Sequence, residues 1–155
     1  HVVKKHPEAV FLLAGEGEMR VEIERDIRSL GLQNSVKLLG FIKDIGAVYR
    51  AADIFALSSR EEGLCSSLFD AMYFKLPIVA TSAGGIPEIV MDNVNGFIVP
   101  VDDYVSFASR LSYLIENPEE RRRMGSRSTM ILKRNTINQT VDTTLDVYRE
   151  VLAKQ

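Results

Sequence analysis

Three carboxylates and two hydroxyls crowd the stretch EEGLCSSLFDAM, residues 61–72. Glu62 stands before Gly63, Ser66 and Ser67 follow Leu64 and Cys65, and Asp70 comes three residues after Ser67. A glycine followed by a helix start supplies unpaired backbone N–H groups and the positive end of a helix dipole, which suits an anion such as a phosphate. The serine hydroxyls add donors at that end. Carboxylates on either side can accept hydrogen bonds from ligand hydroxyls, so the set suits a sugar nucleotide, one acid for the sugar and the other for a ribose diol. The spacing also has a second reading. Ser67-x-x-Asp70 matches a capping box, in which the acid reaches back to a backbone N–H. Spacing alone leaves both readings open.

Other loops carry weaker signals. AGEGE, residues 14–18, places Gly15 and Gly17 behind an apolar run, but Arg20 stands where a dinucleotide fingerprint has its third glycine. A tight strand-to-helix turn and a phosphate contact explain it equally well. GFIKD, residues 40–44, offers Phe41 and Ile42 as an apolar surface for a nucleobase, or as core side chains closing a strand. Gly84-Gly85 permits an unusual turn, and Glu88 after Pro87 reads as the first-turn acid of a short helix rather than a ligand. The run EERRRMGSRS, residues 119–128, reads as a solvated helix face with acids ahead of bases. Cys65 has neither His1 nor His6 near it in sequence and is assigned to packing.

Parallel α/β order is what these loops need, because ligands then gather beyond the carboxyl ends of the strands. Short apolar runs alternate with segments of helical spacing in that way. Strands are predicted at 9–15, 35–41, 53–58, 77–81 and 95–100. The first, continuously apolar, is expected to be buried on both faces. Helices are predicted at 19–32, ending at Gly31; at 44–52, with Asp44 as N-cap; from the 61–72 stretch to about Phe74; after the acidic pair at 102–103; from Pro118; and over 136–153.

Composition narrows the function. With 155 residues, 46% of them hydrophobic, the chain can build one core, and a single domain over 1–155 is expected. A net charge of −2 gives no footprint for nucleic acid. One cysteine fits a reducing, cytoplasmic setting, and two histidines leave no zinc-ligand cluster. No apolar run approaches the roughly 18 to 20 residues that span a bilayer. The chain opens at His1 in what reads as the end of an element, which points to a fragment of a longer protein.

The segment ADIFALSSREEGLCSSLFDAMYFKLPIVATSAGGIPEIVMDNVNGFIVPVDD is closely similar to the C-terminal donor-binding domain of retaining glycosyltransferases of family 4, two-domain enzymes of the GT-B fold. The shared pattern runs Ala-Asp and a strand, Ser-x-x-Glu-Gly, a second acid eight residues on, Ala-Met, Pro-hydrophobic-Val-Ala-Thr, Gly-Gly-x-x-Glu, and Asn-Gly before a last strand. FLLAGEGE, VKLLGFI and NPEERRRMGSRS extend the likeness across the chain.

This resemblance implies a Rossmann-like parallel sheet flanked by helices, with a helical C-terminal tail, forming half of a GT-B enzyme. It implies transfer of a sugar from a nucleotide-diphosphate sugar to an unidentified acceptor, held by an N-terminal domain outside this chain. Glu62 matches the first acid of the motif, which meets the donor sugar and carries the catalytic assignment; Asp70 matches the second, which meets the ribose. The backbone of Gly63, Leu64, Cys65, Ser66 and Ser67 matches the diphosphate-binding segment. Phe41, Ile42, Lys43 and Asp44 match the base-contacting loop, bordered by Gly15 and Gly17. Neither cofactor nor metal is implied.

Three departures stand out. Asp70 is one methylene shorter than the usual Glu, Cys65 replaces a common glycine, and Lys75 replaces the helix-ending glycine, so Lys75 is expected at an unfavourable backbone angle. The Arg and Lys that neutralise the diphosphate in relatives would precede His1, so the 155 residues alone are expected to be inactive. By the usual strand order a central strand would also precede His1, and its absence is expected to be closed by direct pairing of the flanking strands or by a strand from a second copy. A nucleotide-sugar epimerase of the same architecture and a non-catalytic nucleotide-binding module are the alternatives.

Overall fold

The computed structural model describes residues 1–63, 65–133 and 137–153. Its elements, in chain order, are α1 (Val2–Lys5), β1 (Phe11–Ala14), α2 (Arg20–Ser29), β2 (Val36–Gly40), α3 (Ile45–Ala51), β3 (Phe55–Leu57) and α4 (Ser66–Tyr73). They continue as β4 (Ile78–Thr81), α5 (Ile86–Ile89), β5 (Gly96–Val99), α6 (Tyr104–Glu116), α7 (Pro118–Leu132) and α8 (Ile137–Leu152). Each predicted strand is present, shortened at its ends. Every ladder is parallel: β1 with β2, β3 with β4, and β4 with β5.

β4 is the centre of the core because it has a partner on each edge and helices on each face. All four of its residues are buried. Its side chains alternate between faces, as a strand requires. Ile78 and Ala80 join Leu68, Ala71 and Met72 of α4, whereas Val79 joins Leu111, Leu114 and Met124 of α6 and α7, together with Phe97.

The turn from α4 into β4 explains the tolerated Lys75. Its φ is 59°, the left-handed value expected where a glycine would be usual. The carbonyl of Lys75 lies against α7 where a Cβ on Gly125 would come within 1.9 Å of it. One residue on, the Ser128 hydroxyl donates to the Leu76 carbonyl at 3.3 Å. Small residues on α7 let the backbone approach, and that packing holds Lys75 in its strained angle.

One cap expectation is corrected, that for Asp44. Asp103 does cap α6, its carboxylate accepting from the Ser106 N–H at 2.9 Å. Asp44 precedes α3 but makes no side-chain cap bond. Its carboxylate instead lies 3.6 Å from the Arg50 guanidinium, and the Ala47 N–H is taken up by the Asp44 carbonyl.

The larger correction concerns the sheet. β1–β2 and β3–β4–β5 are separate sheets, and β1 and β3 are not hydrogen-bonded to each other. Between them lies a cavity of about 1050 Å³, walled by Leu12 and Leu13 of β1, Phe55 and Leu57 of β3, and Tyr49 and Leu111. Direct strand pairing therefore does not close the gap. α1 helps to hold β1 away: Val2, Ala9 and Phe11 pack into the α6–α7 cluster, and Lys5 pairs with Glu116 at 2.6 Å. The facing edges of β1 and β3 thus have no strand partner across the slot. As a result β1 is not buried on both faces. Leu12 and Leu13 are 40% and 39% exposed.

Candidate functional site

β3 ends at Leu57, and the chain then forms the loop that carries Glu62 into α4. Three contacts set that loop. The Ser59 hydroxyl donates to Glu62 Oε1 at 2.8 Å. The Ser59 carbonyl in turn accepts from the buried Thr81 hydroxyl at the end of β4, at 2.5 Å. Gly84, at φ +48°, lies so close that a Cβ there would sit 1.7 Å from the Glu62 carbonyl oxygen. Glu62 is thus bonded through its side chain and closely packed along its backbone. Beside it, Arg60 pairs with Asp102 at 2.8 Å, an exposed bridge between two loops.

α4 begins at Ser66 with Cys65 in the cap position and no side-chain cap bond. Ser67 is therefore the second helical residue, too far in to cap, and Asp70 is the fifth. The capping box is not formed. Ser67 Oγ meets Cys65 Sγ at 2.9 Å instead, and Cys65 is buried, as its packing role requires. The Asp70 carboxylate is exposed, one turn beyond the amides of the helix start. Leu64 lies outside the described residues.

Tyr49 supports this helix start from α3. Its hydroxyl donates to the Ser67 carbonyl at 3.3 Å, and its ring stacks on Phe74 at 5.4 Å. Burial, then the nearby Asp70 carboxylate and Cys65, push the phenol up to about 12. It therefore remains a protonated donor at neutral pH.

Gly15, Gly17, Ser67 and Asp70 line the cavity between the sheets. Glu62, Gly63, Cys65, Ser66 and the 41–44 loop lie outside it. Gly15 donates to the Gly40 carbonyl at 2.8 Å, so the β1 turn and the loop after β2 form one rim. On that rim Phe41 is 77% exposed, which removes it from the core and leaves its ring open to a ligand. Lys43 and Asp44 are also exposed, and Ile42 is half-buried. Glu88 lies in the first turn of the short α5, as expected. Among the described residues no cluster of His, Cys, Asp or Glu could hold a metal ion.

Spacing arguments did not single out Ser59, Thr81 or the Arg60–Asp102 bridge. Ser59 was within reach, since it opens the Ser-x-x-Glu-Gly pattern. Thr81 was not, because its contact spans 22 residues.

The fold and site define a Rossmann-like α/β domain with its polar groups gathered beyond the strand ends. Comparison with known proteins gives the family. Residues 1–130 match the family described as glycosyl transferases group 1, and the chain belongs to it. It is 30% identical over 115 residues to the GalNAc-alpha-(1->4)-GalNAc-alpha-(1->3)-diNAcBac-PP-undecaprenol alpha-1,4-N-acetyl-D-galactosaminyltransferase of Campylobacter jejuni, covering 74% of this chain and 32% of that enzyme. Among solved structures it is similar to Anabaena HepE in complex with UDP, with TM-score 0.83 and 30% identity over 91% of this chain and 42% of HepE. The C-terminal domain of the group 1 glycosyl transferase LpcC from Francisella tularensis gives TM-score 0.78 and 28% identity, over 86% of this chain and 73% of that one. The chain thus spans well under half the length of the curated relatives it matches. No helix among the described residues is long and apolar enough to cross a membrane.

Proposed function

We propose that the chain is the donor-binding domain of a retaining glycosyltransferase of family 4, acting in the cytoplasm on a nucleotide-diphosphate sugar. The observation that carries this reading is the pair of acids about the start of α4. Glu62 is held ready by Ser59, and Asp70 is exposed rather than spent on a cap. HepE, whose structures include UDP and UDP-glucose, supports a sugar nucleotide as the ligand. Glu62 takes the sugar hydroxyls, and the amides of Gly63, Cys65, Ser66 and Ser67 face the diphosphate. Asp70 takes the ribose, and Phe41 to Asp44, with Gly15 and Gly17 on the same rim, take the base.

Charge accumulates on the departing diphosphate, so amides fixed at a helix start stabilise the transition state without rearranging. In this reading no cofactor or metal takes part. An Arg and a Lys outside these residues complete the neutralisation in this reading, and a separate N-terminal domain holds the acceptor. The 155 residues alone are therefore expected to turn over no donor.

Product analysis of the full-length polypeptide is the test. Glycoside formation with retained configuration is expected, falling about a hundredfold in Glu62→Ala, with KM for the donor rising about tenfold in Asp70→Ala. An epimerised sugar nucleotide as sole product, or wild-type turnover in Glu62→Ala, would contradict it.

A further inference from the structure

We propose that Ser59 is a positioning residue for Glu62, and that with Thr81 and Gly84 it presents one carboxylate oxygen of Glu62 to the donor sugar before any ligand arrives. The inference rests on the reading of Glu62 as a sugar-binding acid. Two neighbours reach Glu62 directly, Ser59 through its hydroxyl and Gly84 through close backbone approach, and Thr81 in turn holds Ser59.

A carboxylate has two oxygens, and the Ser59 hydroxyl occupies Oε1 at 2.8 Å. Oε2 is left for the ligand. The partner at Oε1 is a neutral hydroxyl, so the contact is a hydrogen bond and not an ion pair. Ser59 is not itself free to drift. Its carbonyl is held at 2.5 Å by Thr81, a residue 3% exposed at the end of the fully buried β4. The rigid centre of the core is thus joined to the site acid through a single seryl residue.

Gly84 packs closely against the backbone of Glu62. The space a Cβ would fill there is occupied by the Glu62 carbonyl, 1.7 Å from the ideal position. Gly85 makes the same kind of approach to the Gly63 carbonyl, at 3.0 Å. With one carboxylate oxygen bonded by Ser59 and the backbone packed against Gly84, Glu62 loses less freedom when a sugar binds, and preorganisation of this kind strengthens binding by lowering the entropy lost.

The chemistry separates Ser59 from a residue that merely holds the loop. Glu62 meets the sugar and not the nucleotide, so loss of Ser59 should weaken the sugar nucleotide and spare the free diphosphate. Calorimetric titration of the full-length polypeptide with UDP-glucose and UDP, and with GDP-mannose and GDP, reads this directly. In Ser59→Ala, the sugar nucleotide that the wild type binds is expected to bind about tenfold more weakly, with less than about a twofold change for the matching diphosphate. Ser59→Thr keeps the hydroxyl and is expected to restore binding to within about threefold of wild type.

Equal weakening of diphosphate and sugar nucleotide in Ser59→Ala would show a loop-wide structural effect and overturn the proposal. Unchanged sugar-nucleotide binding in Ser59→Ala, alongside weakened binding in Glu62→Ala, would overturn it as well. Wild-type binding in Glu62→Ala would instead sink the donor reading beneath it, as would failure of all four probes to bind the wild type.

Discussion

β1 and β4 are both four-residue apolar strands, FLLA and IVAT, yet every residue of β4 is buried and three of four in β1 are exposed. The more hydrophobic sequence is the wetter strand. β4 has a strand on each side and helices on each face, whereas β1 has only β2 beside it and a slot on its other edge. The helices follow the same division. α4 buries Leu68, Ala71 and Met72, while α2 buries nothing, with Val21 in it and Leu30 just after it 72% and 69% exposed. Burial is decided by what surrounds an element, and the two halves of this molecule differ in neighbours rather than in composition.

Truncation of a leucine in each half should expose this difference most. Leu68→Ala removes a fully buried side chain and is expected to lower stability by about 2–5 kcal/mol. Leu30→Ala should change it by less than about 0.5 kcal/mol. Urea midpoints of the two variants measure both, and equal losses would erase the contrast.

Glycines give a second pair. A Cβ on Gly125 would meet the Lys75 carbonyl at 1.9 Å, with backbone rather than a flexible side chain in its way, so Gly125→Ala is expected to destabilise by about 2–3 kcal/mol. Gly17 has open space around its Cβ position, and Gly17→Ala should be neutral within about 0.5 kcal/mol.

Tyr49 stands at the junction of the halves and offers a pH test. Its folded phenol titrates at about 12, above the ordinary value of 10, so the folded state keeps a proton that the unfolded state gives up first. Its contribution is complete below pH 10 and is lost as pH rises towards 12. Stability of Tyr49→Phe should fall less steeply than wild type over that window, and parallel curves would remove the role. The smallest effect is a gain. Lys75→Gly relieves the left-handed angle and is expected to stabilise by about 0.5–1 kcal/mol in a thermal melt.

Much of the strand order was legible because apolar runs and turn residues are local signals. Gly31 ends its helix at φ +69° as read, and Lys75 takes the predicted angle. The failures were non-local. Continuous apolarity at residues 9–15 implied burial on two faces, but the neighbours that would bury them are not there. Ser67-x-x-Asp70, left open between a capping box and a ligand, fits the capping box only if the helix begins two residues later, at Leu68. It begins at Ser66, which frees Asp70 for a ligand. Ser59 belonged to a recognised pattern, but its hold on Glu62 needed the loop's shape, and Thr81 needed the sheet.

In the proposed reading the donor site spans both halves, since Glu62 and Asp70 belong to the buried half and Phe41 to Asp44 to the exposed one. Amide spectra of the nitrogen-labelled chain, titrated with millimolar UDP or GDP, test that claim most directly. Shifts are expected together at Gly63, Ser66, Ser67 and Asp70 on one side and at Phe41 to Asp44 on the other, with saturation at one common concentration. Shifts confined to one half, or spectra unchanged by either nucleotide, would contradict the account.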